Sequence, residues 1–191
     1  MLGLYRMRHE QLLNTEKCLL LIVDIQEKFA PHIHEMDRVI ERSRILIEAA
    51  GLLGVPVFVS QQYPKGLGQT VGPLREALDG RSRKFDKVTF SCCLDEALGR
   101  ALQESGRNQV LLAGIETHVC VAQTALDLLA AGKRPYVAVD AVSARRRLDH
   151  DVALDRLKAA GATLTTAEAA ILELTRTAQH PAFKTISNLI K

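Results

Sequence analysis

The sequence predicts an α/β sandwich around a mostly parallel sheet of roughly six strands. Three observations carry that expectation. Cys18-Leu19-Leu20-Leu21-Ile22-Val23 is apolar at every position, as a strand buried on both faces must be. Further strand-like runs follow at 55–60, 84–90, 109–114, 135–141 and 162–165. Between them lie segments of helical period, several closed by a glycine. Strands that alternate with helices pack as helices on the two faces of a parallel sheet. Ligand sites in such sheets lie beyond the carboxyl ends of the strands.

In chain order, residues 1–16 are polar and mixed, and read as a surface arm with a short helix; residues 17–191 form one domain. After the first strand, Pro31 falls in a loop. Met36, Val39, Ile40, Ser43, Ile47 and Ala50 then recur at helical spacing, with Gly54 as the stop. Pro56 is tolerable at the start of the second strand. The stretch 61–71 holds Pro64, Gly66 and Gly68 and reads as a loop, and 73–79 as a short helix. Ser91 is placed to N-cap a helix over 92–104, and 118–131 is helical up to Gly132. A helix over 149–160 ends at Gly161. Thr165 and Glu168 fit a capping box for a helix through about 176. Phe183, Ile186, Leu189 and Ile190 give the tail one apolar face, for docking on the body or on another subunit.

Composition narrows the function classes. At 47% hydrophobic and 25% charged the chain is neither disordered nor membrane-embedded. A net charge of +3, without interleaved aromatic and basic residues, gives no case for nucleic acid as a partner. Arg145-Arg146-Arg147 reads as a solvated face that could receive an anion. The cysteines at 18, 92, 93 and 120 show neither metal-ligand spacing nor scaffold density. Together with a start that lacks a secretory apolar core, they place the chain in the cytoplasm as an expectation.

Three residues stand out chemically. Cys120 follows the apolar run that breaks at Gly114, in the first turn of the next helix. Unpaired N–H groups at a helix start favour a thiolate, although a lone cysteine also serves as a small buried hydrophobe. Asp24 ends the first strand and could merely cap a turn; Lys87 lies in a semi-apolar stretch and could be a surface lysine. All three fall near the carboxyl ends of extended segments, which a parallel sheet gathers at one edge. Cysteine supplies a nucleophile, aspartate accepts its proton, and lysine holds both anions. Asp24 opposes the thiolate by like charge, but the expectation is a Cys120 partly open to a pocket and ionising more readily than a free thiol. His118 is two residues from Cys120 and so faces elsewhere on a helix; it reads as lining the loop. Adjacent Cys92 and Cys93 are not a redox pair.

The pattern Leu21-Ile22-Val23-Asp24-Ile25-Gln26 with Phe29, then Lys87-Val88-Thr89-Phe90-Ser91, then Gly114-Ile115-Glu116-Thr117-His118-Val119-Cys120-Val121, resembles the isochorismatase-like cysteine hydrolases. Val139-Asp140-Ala141-Val142-Ser143 and Phe183-Lys184-Thr185-Ile186 extend the resemblance over nearly the whole chain. It implies a Rossmann-like three-layer fold, an Asp-Lys-Cys triad at Asp24, Lys87 and Cys120, and a cis peptide before Glu116. It also implies an oxyanion hole from the backbone N–H groups of Glu116 and Cys120. Nicotinamidase members carry an Asp-x-His metal motif after the second strand. Here Ser60-Gln61-Gln62-Tyr63-Pro64-Lys65-Gly66-Leu67-Gly68 holds neither carboxylate nor histidine, so no catalytic metal and no cofactor are expected. That loop resembles the branch labelled only as isochorismatase-domain proteins. Gln26, Phe29, Gln61, Tyr63, Phe90 and His118 are the expected walls of a small-molecule pocket. The reading is hydrolysis of a small amide or related C–N bond by a homo-oligomer. The alternatives are a silent binding module on the same fold and vinyl-ether hydrolysis, which does not require the cysteine.

Overall fold

A computed structural model describes residues 8–78, 80 and 82–191. Among the described residues six strands form one sheet: β1 (Cys18–Val23), β2 (Val57–Gln62), β3 (Ser82–Lys87), β4 (Gln109–Ile115), β5 (Arg134–Ser143) and β6 (Thr163–Thr165). Every neighbouring pair is parallel, in the order β3-β2-β1-β4-β5-β6. The chain builds outward from β1 to β3 and then crosses back to place β4 on the other side of β1. That reversal puts the topological switch point between β1 and β4, and α/β sheets bind ligands beyond the carboxyl ends at such a point.

Strand alternation divides the core into two layers. Leu20 and Ile22 of β1 face one layer, built with α1 (Met36–Leu53), α3 (Gly72–Leu78), α7 (Ala167–Thr175) and α8 (Phe183–Leu189). Leu19, Leu21 and Val23 face the other, built with α4 (Glu96–Glu104), α5 (Ala122–Ala130) and α6 (Arg147–Ala160). α1 ends where the sequence places its stop, with Gly54 left-handed at φ 67. No helix among the described residues is long and apolar enough to cross a membrane.

The structure departs from the sequence reading at several boundaries, each for a local reason. Of the expected arm, 1–7 lie outside the described residues, and 8–16 form turns rather than a helix. Leu13 is fully buried there, because polar Gln109 and Tyr136 at the amino ends of β4 and β5 need partners from this segment. β2 continues through Gln62, pairing with β3 one residue at a time, and the single turn α2 (Pro64–Leu67) interrupts the expected loop. α4 starts at Glu96, not after Ser91; Asp95 caps it by accepting from Leu98 N–H at 2.9 Å. Residues 91–95 are drawn out of the helix because Cys92 N–H donates to Thr124 Oγ1 at 2.9 Å. Thr166, not Thr165, caps α7, since Thr165 is still in β6. The tail packs Ile186, Leu189 and Ile190 against its own α1 layer, so most of its apolar face docks on the body.

Candidate active site

Asp24 stands one residue past β1, where the chain leaves the sheet through a left-handed conformation, φ 53. Aspartate is among the few residues that tolerate that region. Its side chain is 1% exposed, so its charge must be answered inside the protein. Lys87 Nζ donates to Oδ2 at 2.7 Å and Ser60 Oγ donates to Oδ1 at 2.7 Å. Lys87 ends β3, two strands away from β1. Two strand spacings are roughly 10 Å, a gap that only a side chain as long as lysine crosses. On the way its ammonium meets Gln62 Oε1 at 2.7 Å and the carbonyls of Thr89 and Phe90 at 3.1 and 3.2 Å. Burial works against the charge on Lys87. The facing Asp24 carboxylate, with Cys92 and Cys120 behind it, outweighs burial and raises the lysine pKa.

Cys120 reaches this pair through close contact of β4 with β1. Gly114 pairs with Val23 and has φ 124; a Cβ there would lie 2.0 Å from the Val23 carbonyl oxygen. Glycine is therefore obligatory at 114. The Ile115–Glu116 peptide is cis. A π-helical turn, Thr117–Val121, then carries Cys120 ahead of α5, so the thiol sits on a widened turn instead of the first α turn. The residue is 7% exposed, and the charges of Asp24 and Lys87 both act on its thiol. Burial, then the charge of Asp24, drive the thiol pKa well up, and Lys87 offsets only part of this. The expectation of a readily ionised Cys120 is thus reversed. All three side chains are buried, and one lysine already serves one carboxylate, so a second anion beside them is disfavoured.

The remaining sequence-predicted residues divide. Glu116 is buried, and its Oε1 accepts from Arg145 N–H and Nε, both at 3.0 Å, tying the ends of β4 and β5 together. Arg145 is therefore a brace as well as a solvated side chain. Gln26 and Gln61 are scaffold groups in this structure rather than open pocket walls. Gln26 donates to the carbonyls of Gln62 and Gly68 and accepts from Gln62 N–H. Gln61 alternates to the sheet face opposite Ser60 and Gln62, where Thr70 and Asp86 engage its amide. Phe29 packs on the α1 layer. Tyr63 and Phe90 are half-exposed at the rim. Tyr63 lines a cleft of about 380 Å³ with Lys65, Asp86, Val88 and Asp95. His118 lines one of about 310 Å³ with Arg145, Arg146 and Asp149. Cys120 lines neither, so the partly open thiol of the sequence reading is a buried one. Among the described residues no three His, Cys, Asp or Glu side chains stand together as a metal-binding group.

Sequence reasoning passed over Ser60, Gln62 and Cys92, all of which touch the ion pair or its ligands. The legible signal was the abrupt polar run Ser60-Gln61-Gln62 at the carboxyl end of an apolar strand.

A parallel sheet with its charged cluster at the switch point defines an α/β protein of the Rossmann-like class. Within that class the chain belongs to the isochorismatase-domain family, whose model matches residues 18–169. It is 44% identical to isochorismatase domain-containing protein 1 of Salmo salar over 168 residues, 88% of this chain and 59% of that protein. The chain thus spans less than two thirds of that relative's length. The solved structure titled MAR1 ribonuclease from Caenorhabditis elegans is 44% identical, with a TM-score of 0.89 over 93% of this chain and 91% of that one. The nicotinamidase from Staphylococcus aureus shares the fold at 20% identity, TM-score 0.72, over 79% of this chain and 99% of that one.

Proposed function

We propose that the protein is a hydrolase that attacks a small amide, or a related C–N bond, through Cys120. The observation that carries this reading is the Lys87–Asp24 ion pair, 2.7 Å long with both side chains essentially unexposed, against which the Cys120 thiol is set. Burying two charges is expensive, and apolar replacements of the same volume are often no less stable. A pair kept beside a thiol therefore points to chemistry.

The steps follow from the geometry. Asp24 takes the Cys120 proton as sulfur attacks the carbonyl carbon, so no resting thiolate is needed and the raised thiol pKa is no obstacle. Backbone N–H groups of Glu116 and Cys120 receive the developing oxyanion. Collapse breaks the C–N bond, and Asp24 passes the proton to the leaving amine. Water, deprotonated by Asp24, attacks the thioester; the acid leaves and the thiol regains its proton. Lys87 keeps Asp24 ionised between steps. Neither a metal nor a cofactor enters this scheme.

A panel of small primary and secondary amides, assayed for amine release, tests the reading. Capture of an acyl adduct on Cys120 by mass spectrometry is the expected result. Turnover that persists in Cys120→Ala would overturn it. A second reading, RNA cleavage, comes from the likeness to the C. elegans MAR1 ribonuclease, and the exposed Arg145-Arg146-Arg147 run beside the site is the feature that would serve it. Incubation with single-stranded RNA decides this; cleavage that survives Cys120→Ala would favour the second reading.

Self-association and a cytoplasmic setting complete the proposal. Val88 (76% exposed), Phe90 and Leu94 leave apolar surface at the site rim, which a second copy would cover, and the four cysteines are free, as in a reducing compartment. Light scattering at micromolar protein should give a multiple of the 21.0 kDa chain mass.

A further inference from the structure

Asp24 is held from β2 as well as by Lys87. Its backbone N–H donates to the Ser60 carbonyl at 3.2 Å, and the Ser60 hydroxyl donates to its Oδ1 at 2.7 Å. One residue therefore fixes both the backbone and the carboxylate plane of Asp24. Behind Ser60 stands Cys92, fully buried, whose thiol donates to Ser60 Oγ at 3.6 Å. A hydroxyl has one proton. With the Cys92 thiol supplying a proton to Ser60 Oγ, the Ser60 proton is left to Asp24 alone. Burial and then the charge of Asp24 push the Cys92 thiol up to about 12, so it stays a neutral donor across the physiological range. Cys92 is in turn fixed through its N–H to Thr124 Oγ1 at the start of α5.

We infer that Ser60, oriented by Cys92, is a positioning residue that holds the Asp24 carboxylate turned toward Lys87 and Cys120. This rests on the reading of Cys120 as nucleophile and adds the groups that prepare its base. The titratable groups facing Asp24 are Lys87 from β3, Cys120 from the π-helical turn and Cys92 from 91–95. Lys87 neutralises one carboxylate oxygen; without Ser60 the other would be buried with one fewer donor. Removing the hydroxyl frees that oxygen to turn away from Cys120, and a carboxylate turned away cannot take the thiol proton.

The test needs no substrate. The rate of iodoacetamide alkylation at Cys120, read by peptide mass spectrometry at neutral pH on the full chain, reports how well its base is placed. Ser60→Ala should slow it by about tenfold, the size of a charge-assisted hydrogen bond, while the rate at Cys93 stays put. Ser60→Thr, which keeps the hydroxyl, should restore it. Cys92→Ala should slow it by less. A reactive Cys120 whose rate is unchanged in Ser60→Ala overturns the inference. If Ser60→Ala does not fold, the Cys92→Ala rate decides, and no change there overturns it too. A wild-type Cys120 that resists alkylation altogether sinks the nucleophile reading itself, which is a different outcome from an unchanged rate.

Discussion

The sheet carries a buried polar network at each end, and the two are built differently. At the amino ends of β4 and β5, Gln109 accepts from Asn14 N–H and donates to Leu12 O and Tyr136 Oη, and Tyr136 donates to Gln11 O at 2.7 Å. Those partners are amides, a phenol and main chain, and each group finds a neutral mate. At the carboxyl ends, Asp24, Lys87, Cys92 and Cys120 form one buried cluster. The amino-end network anchors the chain entering the sheet. The carboxyl-end network concentrates proton-carrying groups, an arrangement that stability alone does not call for. The difference separates polar satisfaction from chemistry without reference to any substrate.

The largest expected effect lies at the carboxyl end. Cys120→Ser should lower turnover of whichever amide the panel identifies by roughly 10³-fold or more, because the hydroxyl is far less acidic and no histidine is placed as base. Steady-state assays check this, and near-wild-type turnover in the variant would erase the contrast between the ends. Next is Lys87→Met, which strands a buried carboxylate. It should cost about 3–5 kcal/mol of stability at neutral pH, measured by urea unfolding. A loss under 1 kcal/mol would mean that the buried ion pair is not what separates the two ends.

Gln109→Leu gives the smaller, neutral counterpart. It leaves Asn14 N–H and Leu12 O without a partner and should cost about 1–3 kcal/mol. It should leave the Cys120 alkylation rate where it was; a changed rate would show that the two ends are coupled.

The smallest effect is a pH slope. Cys18, at the amino end, and Cys92, at the carboxyl end, are each pushed up to about 12, by burial first. For a thiol whose folded pKa is raised, stability is intact below the unfolded value of about 8.5 and is lost as pH climbs toward the folded one. The unfolding free energy should therefore fall above about pH 8.5, by up to about 1.4 kcal/mol per pH unit for each such thiol. Cys18→Ala should flatten that slope by one thiol's share. Lys87 adds to the loss only above about pH 10.4, since its pKa is raised and its pairing holds until the ammonium titrates. A flat profile between pH 8.5 and 10 would contradict both assignments.

What the sequence determined by itself was whatever depends on near neighbours. Unbroken apolar runs such as 18–23 mark a strand covered on both faces, and helical period with Gly54 and Gly161 marks where helices stop. Asp24 was legible as a strand-end residue because it interrupts such a run; Lys87 read as part of an extended stretch over 84–90, and only the structure ends β3 at it. Family membership was legible from the same stretches. What only the tertiary structure decided depends on groups far apart in the chain. Gln61 and Gln62 are neighbours in sequence, yet the pleat sends Gln62 to Lys87 and Gln61 to Thr70. Ser60 and Cys92 meet across 32 residues, and nothing local announces it. The sign of the Cys120 shift was likewise beyond reach: a helix start and a lysine favour the thiolate, burial and Asp24 oppose it, and only the packed structure says how little water is left to tip the balance.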